Sequence, residues 1–518
     1  MALPNGIFAD EKKPDVVQLD SGPVRGKVED GVRLFAGIPY AAPPIGELRW
    51  KPPQEVASWT QVRDSTAFGP SCPQPKQKVF VSQDETIFSE DCLYLNVWTP
   101  AEKPGERLPV MVWIHGGAFN FGSGSQPEYN GGNLARKGVV VVTLNYRLGP
   151  LGYFVHPLLS KESAQNTSGN YGLLDQIAAL KWVKKNIAAF GGDPGRVTIF
   201  GQSAGSRSVN LQMISPLCAG LFHRAIAVSG GPIIGSEYLT PQFNGSMADV
   251  SKMGEKLTSR LGCDKVEDVL AALRAKSAQE IVAAADCKTS VFDYEALFFA
   301  PVFDGWVLPK DPLKAYTDGR QHDVPIILGS TLNEGTLYLA DETGLSVERY
   351  KSFLKARFGD QIGKAFEMFP APEAKDVAPA IDKFLTVAAN AQPARLVAQA
   401  MEHKKSRAYL FQFTRRPDTA MARKLGVHHG VDIAYVFGNI KTSDGYNETD
   451  TGLSKSMMNY WVNFAKTGNP NGPGLLEWPA YKSESDLNLE FSDTLHTHKH
   501  LFKKECDFIS RTPTFRSE

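Results

Sequence analysis

Cysteine is scarce, at 6 of 518 residues, which excludes a fold stapled by a dense disulfide framework. Neither sign of charge is in excess. Lys plus Arg and Asp plus Glu stand at 56 each, so no overall charge draws the chain to nucleic acid or an anionic membrane, and any charge preference must be local. No apolar run approaches the length of a membrane span, and the opening stretch Met1 to Asp10 has neither a basic n-region nor a long apolar h-region. There is no G-x-x-x-x-G-K phosphate loop, no H-E-x-x-H zinc pair, no internal repeat and no low-complexity tract. What remains is an ordinary globular composition, 42% hydrophobic and 22% charged, in a chain long enough to bury a large core.

The most informative stretch runs from Val197 to Ser206. A short β-rich run ends in Gly201-Gln-Ser-Ala-Gly205 and a helix-compatible segment follows, the strand, sharp turn and helix that give a G-x-S-x-G pentapeptide its meaning. A serine at the apex of such a turn brings backbone two residues before and after it too close for a Cβ, hence the glycines. Around it, Leu93–Trp98, Val110–Ile114, Val139–Leu144, Val324–Gly329 and Arg407–Phe413 read as buried strands. Residues 172–190 carry apolar side chains at helical spacing, and a helix from Ser454 to Lys466 stops at Gly468. Val16 to Phe35 reads as antiparallel strands at a sheet edge. Strand, helix and the strand into Ser203 form a crossover unit, so the fold class is α/β, a large mixed, mostly parallel sheet flanked by helices. One domain over 1–518 is expected, with a long helical insertion at 235–320.

A serine hydroxyl needs a base within reach, itself oriented by an acid. In the chain order of an α/β-hydrolase these come as Ser, acid, His. Ser203, then Glu334 after the strand ending at Gly329, then His429 in the loop after a later strand supply them, all at carboxyl ends of the sheet. His428 is the competing base. His115-Gly-Gly-Ala-Phe119 follows the strand ending at Ile114, and the amides of Gly117, Ala118 and Ala204 are the expected oxyanion donors. His496, His498 and His500 would share one face of a strand, but such a surface run usually binds nothing, and neither metal nor cofactor is expected. Cys72 and Cys92 bracket a polar, turn-rich loop whose spacing suits closure by a disulfide. Cys218, Cys263, Cys287 and Cys506 are either free and packed, or Cys263 bridges Cys287, the arrangement favoured here.

Taken together, these motifs resemble the type-B carboxylesterase family, which includes cholinesterases and large fungal lipases. The carrying stretches are Phe35–Trp50, Ser89–Trp98, His115–Phe119, Asn170–Gln176, Gly201–Gly205, His429–Ile433 and Trp461–Ala465. The resemblance implies an α/β-hydrolase with Ser203, Glu334 and His429 as triad, a Cys72 to Cys92 disulfide, ion pairs Arg49 with Glu90 and Arg147 with Asp175, and Ser229 as a supporting hydroxyl. It also implies a small-molecule ester as substrate. Two departures stand out. The family usually has Glu before the nucleophile, where this chain has Gln202, and Ser206 and Arg207 replace smaller neutral residues after it. The local charge therefore shifts toward positive. Arg207 and Gln202 become candidate substrate contacts, favouring esters that bear carboxylates. The loop between Cys72 and Cys92 lacks the tryptophan that cholinesterases use against quaternary ammonium, which disfavours a cationic substrate. In these respects the chain is reminiscent of the fumonisin esterase type, which releases tricarballylate from a long-chain toxin. The competing readings are a general carboxylesterase or lipase for neutral acyl esters and, from another class, a cholinesterase-like adhesion protein. The sequons at Asn166, Asn244 and Asn447 and the cysteine loop are compatible with a secreted or periplasmic enzyme whose leader has been removed, a cytoplasmic one being the alternative.

Overall fold

A computed structural model describes residues 16–75, 87–232, 246–286, 292 and 297–512. Its strands are β1 (Val16–Gln18), β2 (Pro23–Arg25), β3 (Lys27–Glu29), β4 (Val32–Pro39), β5 (Arg63–Asp64), β6 (Tyr94–Thr99) and β7 (Leu108–Ile114). The chain continues through β8 (Val140–Leu144), β9 (Gly192–Gln202), β10 (Arg224–Val228), β11 (Ile326–Thr331), β12 (Ala408–Phe413), β13 (Leu487–Phe491) and β14 (Leu495–Lys499). Eleven of them make one sheet in the order β14-β13-β12-β11-β10-β9-β7-β8-β6-β4-β3. It is parallel from β8 across to β13 and antiparallel at both flanks. Of the expected edge strands, β3 and β4 lie there, whereas β1 and β2 join β5 in a separate 3-stranded sheet.

Period-two alternation decides which face each side chain serves. On β7, Val110, Val112 and Ile114 enter one core while Met111 and Trp113 enter the other. On β12, Leu410 belongs to the first core and Tyr409, Phe411 and Phe413 to the second. Helix Tyr171–Asn186 covers the first face with Leu173, Ile177, Leu180 and Val183. Helix Glu448–Thr467 covers the second with Met457, Trp461 and Phe464, and ends on Gly468 in the left-handed conformation (φ 79°), which spares a Cβ penalty. With both faces covered, the central strands are largely apolar, with a few buried polar side chains such as Thr143 and Gln412, and the candidate catalytic groups lie beyond the strand ends.

Helices Met247–Arg260, Val269–Ala275, Ala278–Ala285 and Pro312–Thr317 lie between β10 and β11, within the span of the expected insertion. A second helical block, not anticipated from the sequence, separates β11 from β12: Val347–Phe358, Ile362–Met368, Ala374–Thr386 and Gln392–Met401. It has its own apolar cluster, built on Tyr350, Phe353, Leu354, Ile381, Phe384 and Leu385.

Both expected ion pairs form. Arg49 grips Glu90 through two hydrogen bonds of 2.7 and 2.5 Å. Arg147 meets Asp175 at 2.8 and 2.7 Å, with side chains 3% and 0% exposed. Asp175 also accepts the Arg147 amide at 3.0 Å, so one carboxylate fixes both the side chain and the backbone after β8. Truncating one member of such a pair leaves the other charge buried alone, which costs about 3–5 kcal/mol. Asp175→Ala is accordingly expected to lower the midpoint of thermal unfolding by several degrees, and an unchanged midpoint would show that Arg147 finds another partner or water.

The cysteine expectation needs correction. Cys72 and Cys92 are free thiols, not a disulfide. Cys72 Sγ accepts the Leu148 amide at 3.3 Å, and the hydrogen bond with Cys72, followed by burial, holds the Cys92 thiol well above its ordinary range. The neck of the loop is closed instead by main-chain bonds, Ser71 N to Ile87 O at 2.8 Å and Ser89 N to Ser71 O at 3.0 Å. Cys263 is likewise a free, buried thiol; Cys287, its expected partner, lies outside the described residues, as do Asn244 and residues 76–86 of the loop. No helix among the described residues is long and apolar enough to cross a membrane.

Candidate active site

Ser203 follows β9 directly and opens helix Ala204–Gln212, with φ 58° and ψ −123°. That backbone is strained for any residue with a Cβ, and it persists because the surroundings over-determine it. Ser203 N bonds Val228 O at 2.9 Å. A Cβ added at Gly205 would lie 1.9 Å from Ile114 O, and one at Gly201 would lie 2.5 Å from Gly205 C. The two flanking glycines are thus steric requirements of the turn.

The loop after β7 lies against this turn: a Cβ on Gly116 would come within 3.0 Å of Ser203 Cβ. Gly117, Ala118 and Phe119 all have positive φ (106°, 51° and 62°). The loop is locked by Asn120 N and Phe121 N bonding Gly117 O at 2.8 and 3.0 Å, and by Asn120 Nδ2 bonding Ala118 O at 2.7 Å. The amides of Gly117, Ala118 and Ala204 meet no protein acceptor among the described residues, and Ala204 sits at the positive end of its helix. His115 is a support. It is fully buried, stacked on Tyr146 at 4.4 Å, and burial pulls its imidazole down to about 4, so it stays neutral.

Glu334 and His429 meet as expected. His429 Nδ1 bonds Glu334 Oε2 in a short contact, while Thr331 N donates to Glu334 Oε1 at 2.7 Å and Glu334 N donates to Thr386 Oγ1 at 3.1 Å. The acid is 1% exposed. With its proton held on Nδ1 by the carboxylate, the imidazole turns Nε2 outward as an acceptor. His428 points elsewhere, its Nδ1 meeting His429 O at 3.0 Å. His429 Nε2 lies 3.1 Å from Gln202 Nε2, so the amide donates to it. Gln202, expected to face substrate, is 5% exposed and bound to the base instead. No hydrogen bond joins Ser203 Oγ to His429 among the described contacts; such pairs are often loose before a substrate is bound.

Ser229 has positive φ (55°) and a buried hydroxyl without a protein partner among the described residues. Arg207 lies one helical turn beyond Ser203, its amide bonded to Ser203 O at 2.9 Å. Burial pushes the Tyr338 hydroxyl up and the Arg207 charge pulls it back; the Tyr338 ring is 6.0 Å from that of His429. In the tail, His496 and His500 pair with Glu490 and Asp486 at 3.2 and 3.1 Å, and no metal-binding group of three or more His, Cys, Asp or Glu occurs among the described residues.

Three polar residues at the site escape a reading of the sequence. Asp432 lies inside the quoted stretch His429–Ile433, yet nothing local marks its carboxylate. Burial, reinforced by Glu334, pushes it up to about 7, and neither oxygen has a protein partner among the described residues. Asn333 and Asp382 are the others. Asp382 comes from helix Ala374–Thr386 in the second helical block, and burial raises its carboxyl to about 6.

Residues 13–509 match the model of the carboxylesterase family. The chain belongs to that family. Para-nitrobenzyl esterase of Bacillus subtilis is 37% identical over 507 residues, covering 96% of this chain and 99% of the relative. Fumonisin B1 esterase of Sphingopyxis macrogoltabida is 35% identical over 497 residues, covering 94% and 88%. A solved PNB esterase superposes with a TM-score of 0.81 at 34% identity, covering 95% of this chain and 99% of that one. The fold is that of the α/β-hydrolases, and the protein is a carboxylic-ester hydrolase.

Proposed function

We propose that this carboxylesterase works through Ser203 as nucleophile, His429 as base and Glu334 as the orienting acid, and that it favours esters bearing carboxylate groups. The observation that carries the first part is the contact of His429 Nδ1 with Glu334. It selects the tautomer whose Nε2 accepts a proton, beside a serine held on a strained turn. Nε2 moves from the Gln202 amide to the Ser203 hydroxyl and takes its proton as Oγ attacks the ester carbonyl. The Gly117, Ala118 and Ala204 amides receive the developing oxyanion, each donor contributing about 3 kcal/mol to the transition state. His429 then protonates the leaving alcohol, and water hydrolyses the acyl-enzyme by the same proton path in reverse.

The second part rests on charge. Gln202 is neutral and Arg207 is cationic beside Ser203, and the Arg207 charge acts on Tyr338, next to the base. A relative whose name gives fumonisin B1 as its substrate is 35% identical. Tricarballylate esters, such as those of fumonisin, are the proposed substrate type. The test compares kcat/KM for two esters of one alcohol, tricarballylyl and butyryl. A preference of about a hundredfold for the anionic ester, roughly 2.7 kcal/mol of transition-state binding, is expected, together with its loss in Arg207→Met. Preference for butyrate would contradict the proposal and leave a general esterase for neutral acyl groups.

A further inference from the structure

The acid and the base arrive on separate loops, Glu334 after β11 and His429 after β12, and their contact requires those loops to stay in register. Main-chain bonding between them is sparse: Asn333 N donates to Val427 O at 3.0 Å. Thr336 Oγ1 adds a bond to Leu425 O at 2.8 Å, and the Asn333 side chain ties both loops to a third element. Its Oδ1 accepts Val427 N at 3.0 Å, on the base loop. Its Nδ2 donates at 2.8 Å to Asp382 Oδ2, on a helix of the second block. The other Asp382 oxygen accepts Gly335 N at 2.7 Å, immediately after Glu334. Contacts are close enough that a Cβ at Gly335 would lie 2.6 Å from Asp382 Cα, and one at Gly426 would lie 2.6 Å from Asn333 Oδ1.

Each bond in this chain has a direction. The Asp382 carboxylate can only accept, so it compels Asn333 to present its NH2, which leaves the Asn333 carbonyl for Val427 N. Reversing the Asn333 amide would set its NH2 against the Val427 N–H and its carbonyl against the carboxylate. A carboxylate far away in the sequence thereby dictates the orientation of a side chain that ties the base loop to the acid loop.

We propose that Asn333 and Asp382 form a polar clamp that positions Glu334 against His429, so that Asp382 is a positioning residue for turnover although it touches neither substrate nor a reacting atom. The inference rests on Glu334 and His429 serving catalysis as set out above. In Asp382→Asn the new amide still accepts Gly335 N but turns an NH2 toward Asn333, and no arrangement of the two amides satisfies both loops. In Asn333→Asp two carboxylates face each other. In the exchange variant, Asn333→Asp with Asp382→Asn, the carboxylate now at position 333 accepts from both Val427 N and the side-chain amide at position 382, while the carbonyl of that amide accepts Gly335 N. Every donor again has an acceptor.

The experiment measures kcat, KM and the thermal midpoint for the two single variants and the exchange on a neutral p-nitrophenyl ester. It also records the downfield proton resonance of the His429 to Glu334 hydrogen bond. A misplaced catalytic group costs up to about a hundredfold. The single variants should lose about tenfold to a hundredfold in kcat with KM within about twofold, and weaken or shift the downfield resonance. The exchange should recover most of kcat and restore the resonance, a non-additivity that independent sites do not show. Wild-type kcat in Asp382→Asn, or an exchange variant no better than the worse single variant, overturns the clamp. Should a single variant fail to fold, the exchange must still fold and turn over, and its failure also overturns it. Wild-type labelling of Ser203 by a fluorophosphonate, run in parallel, keeps failure of the clamp separate from failure of the proposed nucleophile.

Discussion

Ser203→Ala should lower kcat for any carboxylic ester by about 10⁶-fold, leaving only the residual rate that oxyanion donors and binding give to water attack. Its thermal midpoint should not move. The reason lies in the backbone: Ser203 sits at φ 58° with its flanks closed by Val228 O and Ile114 O, and alanine keeps the Cβ that makes this conformation costly. Strain is therefore the same in both proteins. A steady-state assay on a p-nitrophenyl ester, alongside thermal unfolding, separates the two quantities. Turnover near wild type in a folded Ser203→Ala protein would remove the serine from the mechanism.

Glu334→Gln should cost about 10⁴-fold in kcat, through the tautomer of the base rather than through lost charge alone. Oε1 of the acid accepts Thr331 N at 2.7 Å, so a glutamine must keep its carbonyl oxygen there and present its NH2 to His429 Nδ1. That nitrogen must then be the acceptor, which puts the ring proton on Nε2 and leaves nothing to receive the Ser203 proton. The expected signature is a fall in kcat at every pH, with KM little changed. A loss confined to one pH range would indicate that the carboxylate acts mainly through its field.

Much of this site is legible in the sequence because its determinants are local. The turn at Ser203 is specified by glycines two residues to either side, and contact with backbone is the reason for both. His115 to Phe119 is marked by its place after an apolar strand, and His429 by the glycine that follows it. The fold is legible for a similar reason: β7, β8 and β12 are buried almost throughout, as strands covered on both faces must be. What escapes depends on tertiary neighbours. Helix Ala374–Thr386 contains Pro379, which argues against a helix locally, yet packing of Ile381, Phe384 and Leu385 prevails. Asp382, on that helix, meets Asn333 from a distant part of the chain, so spacing could not join them. Gln202 is legible as a departure in charge, but the direction of its amide is set by His429, which arrives much later in the sequence. The Cys72 to Cys92 pairing is absent for another reason: closing a loop does not require a covalent bond where Ser71 to Ser89 main-chain bonds and the Arg49 to Glu90 pair already hold its neck.

Turnover through Ser203 requires a covalent acyl-enzyme on that residue, and mass spectrometry of protein quenched in acid during steady turnover of a p-nitrophenyl ester detects it directly. An intact-mass increase of one acyl group is expected, which peptide mapping places on the segment containing Gly201 to Gly205, and which is absent from Ser203→Ala. An adduct on another residue, or turnover with no adduct at Ser203 even when deacylation is slowed, would contradict it.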